Sequence, residues 1–210
     1  VINTGLPRWD VLKDKSQGKR EILIMPTWRN WLDSVPDKDF EESDYFRHYM
    51  GLLNSERLNQ ILEKYDLEVN FYLHAKFQEY ADTFKSISKR IHLISFGEVA
   101  VNEMLMRCRM LITDYSSVCW DILYQDKPSL FYQFDIEKYN EAHGSYIDME
   151  TELFGDRAAT QEQLLDYLEE TVQNDFRLKP EYEKMRGEYL QFKDHEHSRH
   201  ICEEIKKRFH

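Results

Sequence analysis

This chain has no glycine-rich nucleotide loop. Neither Gly-x-Gly-x-x-Gly nor a Walker lysine loop occurs in it, which argues against a dinucleotide dehydrogenase and a P-loop ATPase. A Gly-x-Ser-x-Gly nucleophile elbow is also missing. Cysteine is scarce: Cys108, Cys119 and Cys202 are odd in number and fit no disulfide or zinc spacing, so a reducing compartment is expected. Positive charge is in deficit. Against 39 acidic residues stand 28 Lys and Arg, a net charge of −11. That argues against a general nucleic-acid binder and against a segment that grips an anionic membrane by itself. No apolar run approaches the roughly 20 residues of a membrane span, and no signal-peptide pattern opens the chain. The chain begins on Val1 and in a loop-like phrase, which reads as a piece of a longer protein.

What is present is a globular composition, 41% apolar and 32% charged over 210 residues, long enough for one good-sized core. Short apolar runs at Glu21–Met25, Leu67–Leu73, Ile91–Ile94, Met110–Thr113 and Ser129–Tyr132 predict five buried strands. Helical patterns lie between them: Phe46–Tyr65, Phe77–Phe84, Val99–Arg107 and Val118–Tyr124. The stretch 30–45 reads as a long loop and 135–156 as mostly irregular. The last third is helical, over Glu162–Asn174, Pro180–Lys193 and about Ser198–Phe209. Strands alternating with helices predict an α/β, Rossmann-like parallel sheet flanked by helices, with a helical C-terminal region. The expected division is a nucleotide-donor-binding domain over 1–179 and C-terminal helices over 180–210.

In such a sheet all strand ends share one edge, and ligands bind there. Three polar strand ends therefore converge: Thr27-Trp28-Arg29, His74, and Thr113-Asp114-Tyr115-Ser116-Ser117. The last is a hydroxyl-rich turn feeding a helix, and free N–H groups at a helix start favour phosphates. Ser116 and Ser117 read either as helix caps or as phosphate ligands, and Asp121 as a favourable charge in the first turn. Arg29 reads as a phosphate clamp or as a surface ion pair. Trp28 and Trp31 read as packing or as a stacking platform, and His74 as structural or as an acid–base group. His195, His197 and His200 look like a metal cluster, but no acidic or cysteine partner is fixed by spacing, so a solvated helix start is expected and no metal site is assigned. Asp37-Lys38-Asp39 has the form of an Asp-x-Asp metal motif without the strand that should precede it.

Gly5-Leu6-Pro7-Arg8, Pro26-Thr27-Trp28-Arg29, Leu73-His74, Leu111-Ile112-Thr113-Asp114-Tyr115-Ser116-Ser117 with Asp121, Lys127-Pro128 and Phe131-Tyr132 together resemble the CDP-glycerol glycerophosphotransferase family, in order and over about residues 5–205. The resemblance implies one half of a GT-B-like fold, the C-terminal half that binds a CDP-activated donor. It implies transfer of a polyol phosphate to a hydroxyl of a teichoic-acid-type or capsular polymer, with an N-terminal domain of the same protein completing the cleft. His74 inherits a catalytic role. Thr27, Trp28, Arg29, Tyr115, Ser116, Ser117 and Asp121 inherit donor contacts, with Asp114 orienting them. No tightly bound cofactor is implied, and a divalent-metal requirement is left open. The acidic balance suits a cytoplasmic location, peripheral at the inner membrane face in the full-length protein, with any anchoring supplied by residues outside this chain. Tyr72 and Ala75 depart from the family's Arg and Pro around the histidine, the loop from Asn30 to Tyr45 is longer, and Ser198-Arg199-His200 is out of register with a C-terminal family contact. A nucleotide-sugar-dependent transferase of the same architecture, or a non-catalytic nucleotide-binding module, is the alternative.

Overall fold

A computed structural model describes residues 3–145 and 147–209. Six strands form one sheet: β1 Glu21–Ile24, β2 Glu68–Tyr72, β3 Ile91–Ile94, β4 Met110–Thr113, β5 Ser129–Tyr132 and β6 Asp156–Ala158. Their order is β3-β2-β1-β4-β5-β6, and every pairing is parallel. This is the expected α/β, Rossmann-like class. Strand order reverses between β1 and β4, so the crevice at a topological switch point opens above their carboxyl ends.

The sheet is buried on both sides because successive side chains alternate between faces. Ile22, Ile24, Phe71, Ile112 and Tyr132 pack on one core with the helices α2 Asp44–Leu53, α3 Glu56–Lys64 and α7 Gln161–Gln173. Leu23, Tyr72, Leu111 and Phe131 pack on the other with α4 Val101–Arg107 and α5 Cys119–Tyr124. The remaining helices are α1 Asp37–Glu41, α6 Ile136–Ala142, α8 Pro180–Tyr189 and α9 His197–Phe209.

Several elements differ from the sequence reading. The apolar pattern over Phe46–Tyr65 is two helices, because Ser55 starts a new one: its hydroxyl accepts the Leu58 N–H at 3.2 Å. Ser43 caps α2 in the same way. The expected 30–45 loop contains α1, whose Phe40 is fully buried against Tyr80. Ala75–Thr83 is a 3-10 helix. α6 and β6 fall in the stretch read as irregular. β6 has no apolar run to announce it, only Asp-Arg-Ala at a sheet edge.

The C-terminal helices are tied to the body. Tyr182 donates to Asp156 at 2.9 Å, Lys179 pairs with the same carboxylate, and Arg186 and Lys193 both pair with Asp126. The start of α9 is capped from a distance: Asp10 accepts the N–H groups of His197 at 2.7 Å and Ser198 at 3.0 Å. Bonds from Ser198 and His197 hold the Asp10 carboxyl below its ordinary value.

Gly155 enters β6 where the chain nearly touches β5. A Cβ there would stand 2.0 Å from the Ser129 carbonyl oxygen. Gly155→Ala is expected to destabilise the chain by about 1–3 kcal/mol or more, as overpacking against backbone does, read as a lower urea midpoint. An unchanged midpoint would contradict this β5–β6 approach.

Candidate functional site

The switch point is bridged by one carboxylate. Asp114, at the end of β4 and fully buried, accepts the Thr27 N–H from the end of β1 at 2.8 Å. It also accepts its neighbour's Tyr115 N–H at 2.6 Å and the Tyr49 hydroxyl at 3.2 Å. Thr113 donates to the Met25 carbonyl at 2.7 Å, a second tie across the same gap. The turn after β4 is thus fastened to the segment after β1.

Arg29 completes the fastening. Its guanidinium meets Asp114 at 2.8 Å and grips Asp135 through Nε at 2.7 Å and Nη2 at 3.0 Å, while Nη1 donates to the Thr27 carbonyl at 2.7 Å. The rings of Tyr115, Tyr45, Tyr139, Trp31 and Phe134 surround it at 4.8–6.0 Å. Burial acts to lower its pKa, but Asp114 and Asp135 outweigh burial and hold it above the ordinary guanidinium value. Arg29 is 0% exposed, so neither the surface ion pair nor an open phosphate clamp describes it. Its placement makes it the residue that positions Asp114.

Asp121 is likewise turned away from the ligand edge. It is buried, and accepts two bonds from Arg8, at 2.7 and 3.0 Å, and one from the Trp9 indole at 2.9 Å. It anchors the segment around Arg8 and Trp9 under α5. The helix dipole alone does not account for it.

The turn residues do face a cleft of about 260 Å³, bounded by Tyr115, Ser116, Ser117, Trp120, Tyr139 and Ile147 among others. Neither serine caps α5. Val118 occupies the cap position without a side-chain bond, and the Ser116 hydroxyl accepts the Val118 N–H only at 3.5 Å. The first amides of α5 are spent in tight local turns, on the carbonyls of Ser116, Ser117 and Val118. The N–H groups of Ser116 and Ser117 have no hydrogen-bond partner among the described residues. Anion-suited donors at this turn are therefore those two amides with their hydroxyls, not the helix start behind them. Tyr115 stacks on Tyr139 at 3.6 Å and donates to Asp135 at 3.0 Å, and burial with Asp135 beside it pushes its phenol up.

His74 starts the 3-10 helix after β2. Its Nδ1 accepts the Lys76 N–H at 3.2 Å, which leaves the proton of the neutral ring on Nε2. Burial, and then Lys76, lower its pKa, with Asp114 opposing, which favours the neutral ring. Trp28 stacks over it, ring centroids 6.4 Å apart, and His143 is tilted against Trp28 at 6.3 Å. The Trp28 Nε1 and Thr27 Oγ1 are buried with no partner among the described residues. The segments holding Thr27, Trp28, His74 and the serines share one sheet edge; Arg29 and Asp121 act from beneath.

Sequence reasoning missed Asp135, Tyr139, His143 and Tyr49. Asp135 lies three residues past the apolar run of β5, the same strand-end signal that marked Thr27 and Asp114. The histidine group near the C-terminus was also misread. His197 is fully buried, donating from Nδ1 to the Thr4 carbonyl at 3.2 Å and accepting the Tyr124 hydroxyl on Nε2 at 3.1 Å, so the start of α9 is not solvated there.

A parallel Rossmann-like sheet with an open, anion-suited turn at its switch point has the architecture that places ligands at that edge. The sequence profile described as CDP-Glycerol:Poly(glycerophosphate) glycerophosphotransferase matches residues 1–207, and the chain belongs to that family. It is 30% identical to the minor teichoic acid biosynthesis protein GgaB of Bacillus subtilis (strain 168), over 92% of this chain and 22% of that one. It is 26% identical to the teichoic acid glycerol-phosphate transferase of Staphylococcus aureus (strain NCTC 8325 / PS 47), over 99% of this chain and 54% of that one. The chain therefore spans about half or less of these relatives. Its fold matches the wall teichoic acid polymerase TagF with a TM-score of 0.69 at 21% identity, covering 98% of this chain and 52% of that chain. A UDP-N-acetylglucosamine 2-epimerase shares the fold at a TM-score of 0.54 and 18% identity, over 99% of this chain and 50% of that one.

Removing Asp135 leaves a buried guanidinium half-paired. Asp135→Ala is expected to cost about 3–5 kcal/mol of stability, the range for breaking a buried ion pair, measured by chemical denaturation. A cost under about 1 kcal/mol, the value of an exposed pair, would contradict the enclosed network.

Proposed function

We propose that this chain is the donor-binding half of an enzyme that moves a polyol phosphate, glycerol phosphate foremost, from a CDP-activated donor to a hydroxyl of a cell-wall or capsular polymer. The observation that carries this reading is the cleft beside the Asp114–Ser117 turn, with two unpartnered amides and two serine hydroxyls, in a chain of this family. The orphaned Trp28 Nε1 and Thr27 Oγ1 support a polar ligand at the same edge.

In this reading the acceptor oxygen attacks the β-phosphorus, the bond from that phosphorus to the bridging oxygen breaks, and CMP leaves. Such a transfer needs positioning and neutralisation of developing charge more than covalent chemistry. The amides and hydroxyls of Ser116 and Ser117 hold the donor phosphates. The Nε2–H of His74 donates to a phosphate oxygen, since Nδ1 is already occupied by Lys76. Arg29 contributes by holding Asp114 and the turn in place. The base that takes the acceptor proton is expected on a second Rossmann-like unit of the same polypeptide, which also completes the acceptor side. The C-terminal helices from Pro180 on are read as packing on this domain or crossing toward that unit. No described helix is long and apolar enough to cross a membrane; we place the enzyme at the cytoplasmic face, peripheral to the membrane.

The fold shared with a UDP-sugar epimerase makes a nucleotide-sugar the second reading. Calorimetry of this chain with CDP-glycerol, CDP, CMP, UDP and GDP separates them. Cytidine nucleotides are expected to bind and the others not. A clear preference for UDP would refute the CDP reading, and no binding at millimolar concentration would leave a non-catalytic module. In the polypeptide carrying both units, His74→Ala is expected to lower transfer by about 10²–10³ with the fold intact.

A further inference from the structure

The histidines near the C-terminus take no part in the proposed transfer, yet two of them are built into a defined cluster. Asp194, His197 and His200 each present a ligand atom, all within 4.8 Å of one another. The spacing Asp-x-x-His-x-x-His places the carboxylate in the turn before α9 and both imidazoles on its first two turns. Asp194 Oδ2 and His200 Nε2 are 3.1 Å apart. Two ligands on one tetrahedral ion, each at about 2.0–2.1 Å, stand about 3.3 Å apart.

The second contacts of these residues are those a ligand set needs. His197 Nδ1 gives its proton to the Thr4 carbonyl, so the lone pair is on Nε2. A backbone carbonyl behind the ring is the usual device that fixes the tautomer of a metal-binding histidine. Asp194 Oδ1 is steadied by the Glu196 N–H at 3.0 Å. His200 Nδ1 is buried with no partner among the described residues, and its ring leans on Phe192 at 4.3 Å. The charge around the cluster is mostly negative, with Asp10 on the α9 amides, Glu196 and Glu203 nearby, and Arg199 pairing with both glutamates.

We propose that Asp194, His197 and His200 form a binding site for a divalent transition metal of the zinc class, which pins the start of α9 to the turn that precedes it. Two imidazoles and one carboxylate suit Zn²⁺ and Co²⁺ rather than Mg²⁺ or Ca²⁺, which prefer all-oxygen ligands. Occupation requires the Tyr124 hydroxyl to leave His197 Nε2; that hydroxyl keeps the His195 N–H, at 3.2 Å. Water would supply the fourth ligand.

The site is tested on the tag-free 210-residue chain, dialysed against chelator, with Zn²⁺ in a competition titration and Co²⁺ followed by its visible absorption. One ion per chain is expected, with tetrahedral Co²⁺ bands and a raised Tm on Zn²⁺ addition. His197 is buried and its loss would confound folding, so Asp194→Asn and His200→Asn are the variants. Each is expected to weaken binding about tenfold or more while the metal-free Tm holds, and Cys202→Ser to leave binding unchanged. Absence of one-to-one saturable binding would overturn the site. So would binding that persists undiminished in both variants, or that is lost in Cys202→Ser.

Discussion

The carboxylate of Asp114 holds this structure together at the point where it matters. It closes the switch point by accepting an amide from the end of β1 while standing at the end of β4. A buried carboxylate is costly unless it is paired and hydrogen-bonded. Asp114 meets both conditions, with two amides, a phenol and Arg29. Arg29 in turn is completed by Asp135, without which a guanidinium inside a ring of aromatic side chains would be left half-paired. The open serine turn is therefore the exposed tip of a closed, buried charge network. Its geometry is set before any ligand arrives, which is what electrostatic preorganisation requires.

The sheet and the convergence of three strand ends were legible because buried parallel strands read as short apolar runs, and parallel topology puts every carboxyl end on one edge. That logic puts Thr27, His74, Ser116 and Ser117 at one sheet edge, where the structure also has them. Arg29 and Asp121 were placed on the right elements with the wrong neighbours. Nothing in the sequence tells whether an arginine at a strand end points at solvent or finds two carboxylates, one of them 106 residues away. The distant partner, Asp135, sits in a stretch without apolar periodicity, so neither it nor α6 was visible. Asp121 shows the same limit: its partners Arg8 and Trp9 lie more than a hundred positions earlier.

These long-range pairs give the N-terminal segment a purpose. Arg8 and Trp9 hold α5 through Asp121, while Asp10, one residue on, caps α9. Tyr124 closes the circuit: it stacks on Trp9 at 4.8 Å and donates to His197. One short segment thus braces both the helix behind the serine turn and the C-terminal helix. The Gly5-Leu6-Pro7-Arg8 element of the family resemblance belongs to this brace through Arg8. Gly5 itself, at φ +69°, lies against His197, where a Cβ would stand 2.1 Å from Nδ1.

The central claim is that donor phosphates meet the Ser116–Ser117 turn while Arg29 remains enclosed beneath it. Titrating CDP-glycerol into the isotope-labelled chain, with amide and arginine Nε–H resonances followed together, tests that directly. The expected result is large shifts at the Ser116 and Ser117 amides with the Arg29 Nε–H essentially unmoved. A dominant shift at Arg29, or none at the two serines, would contradict the account.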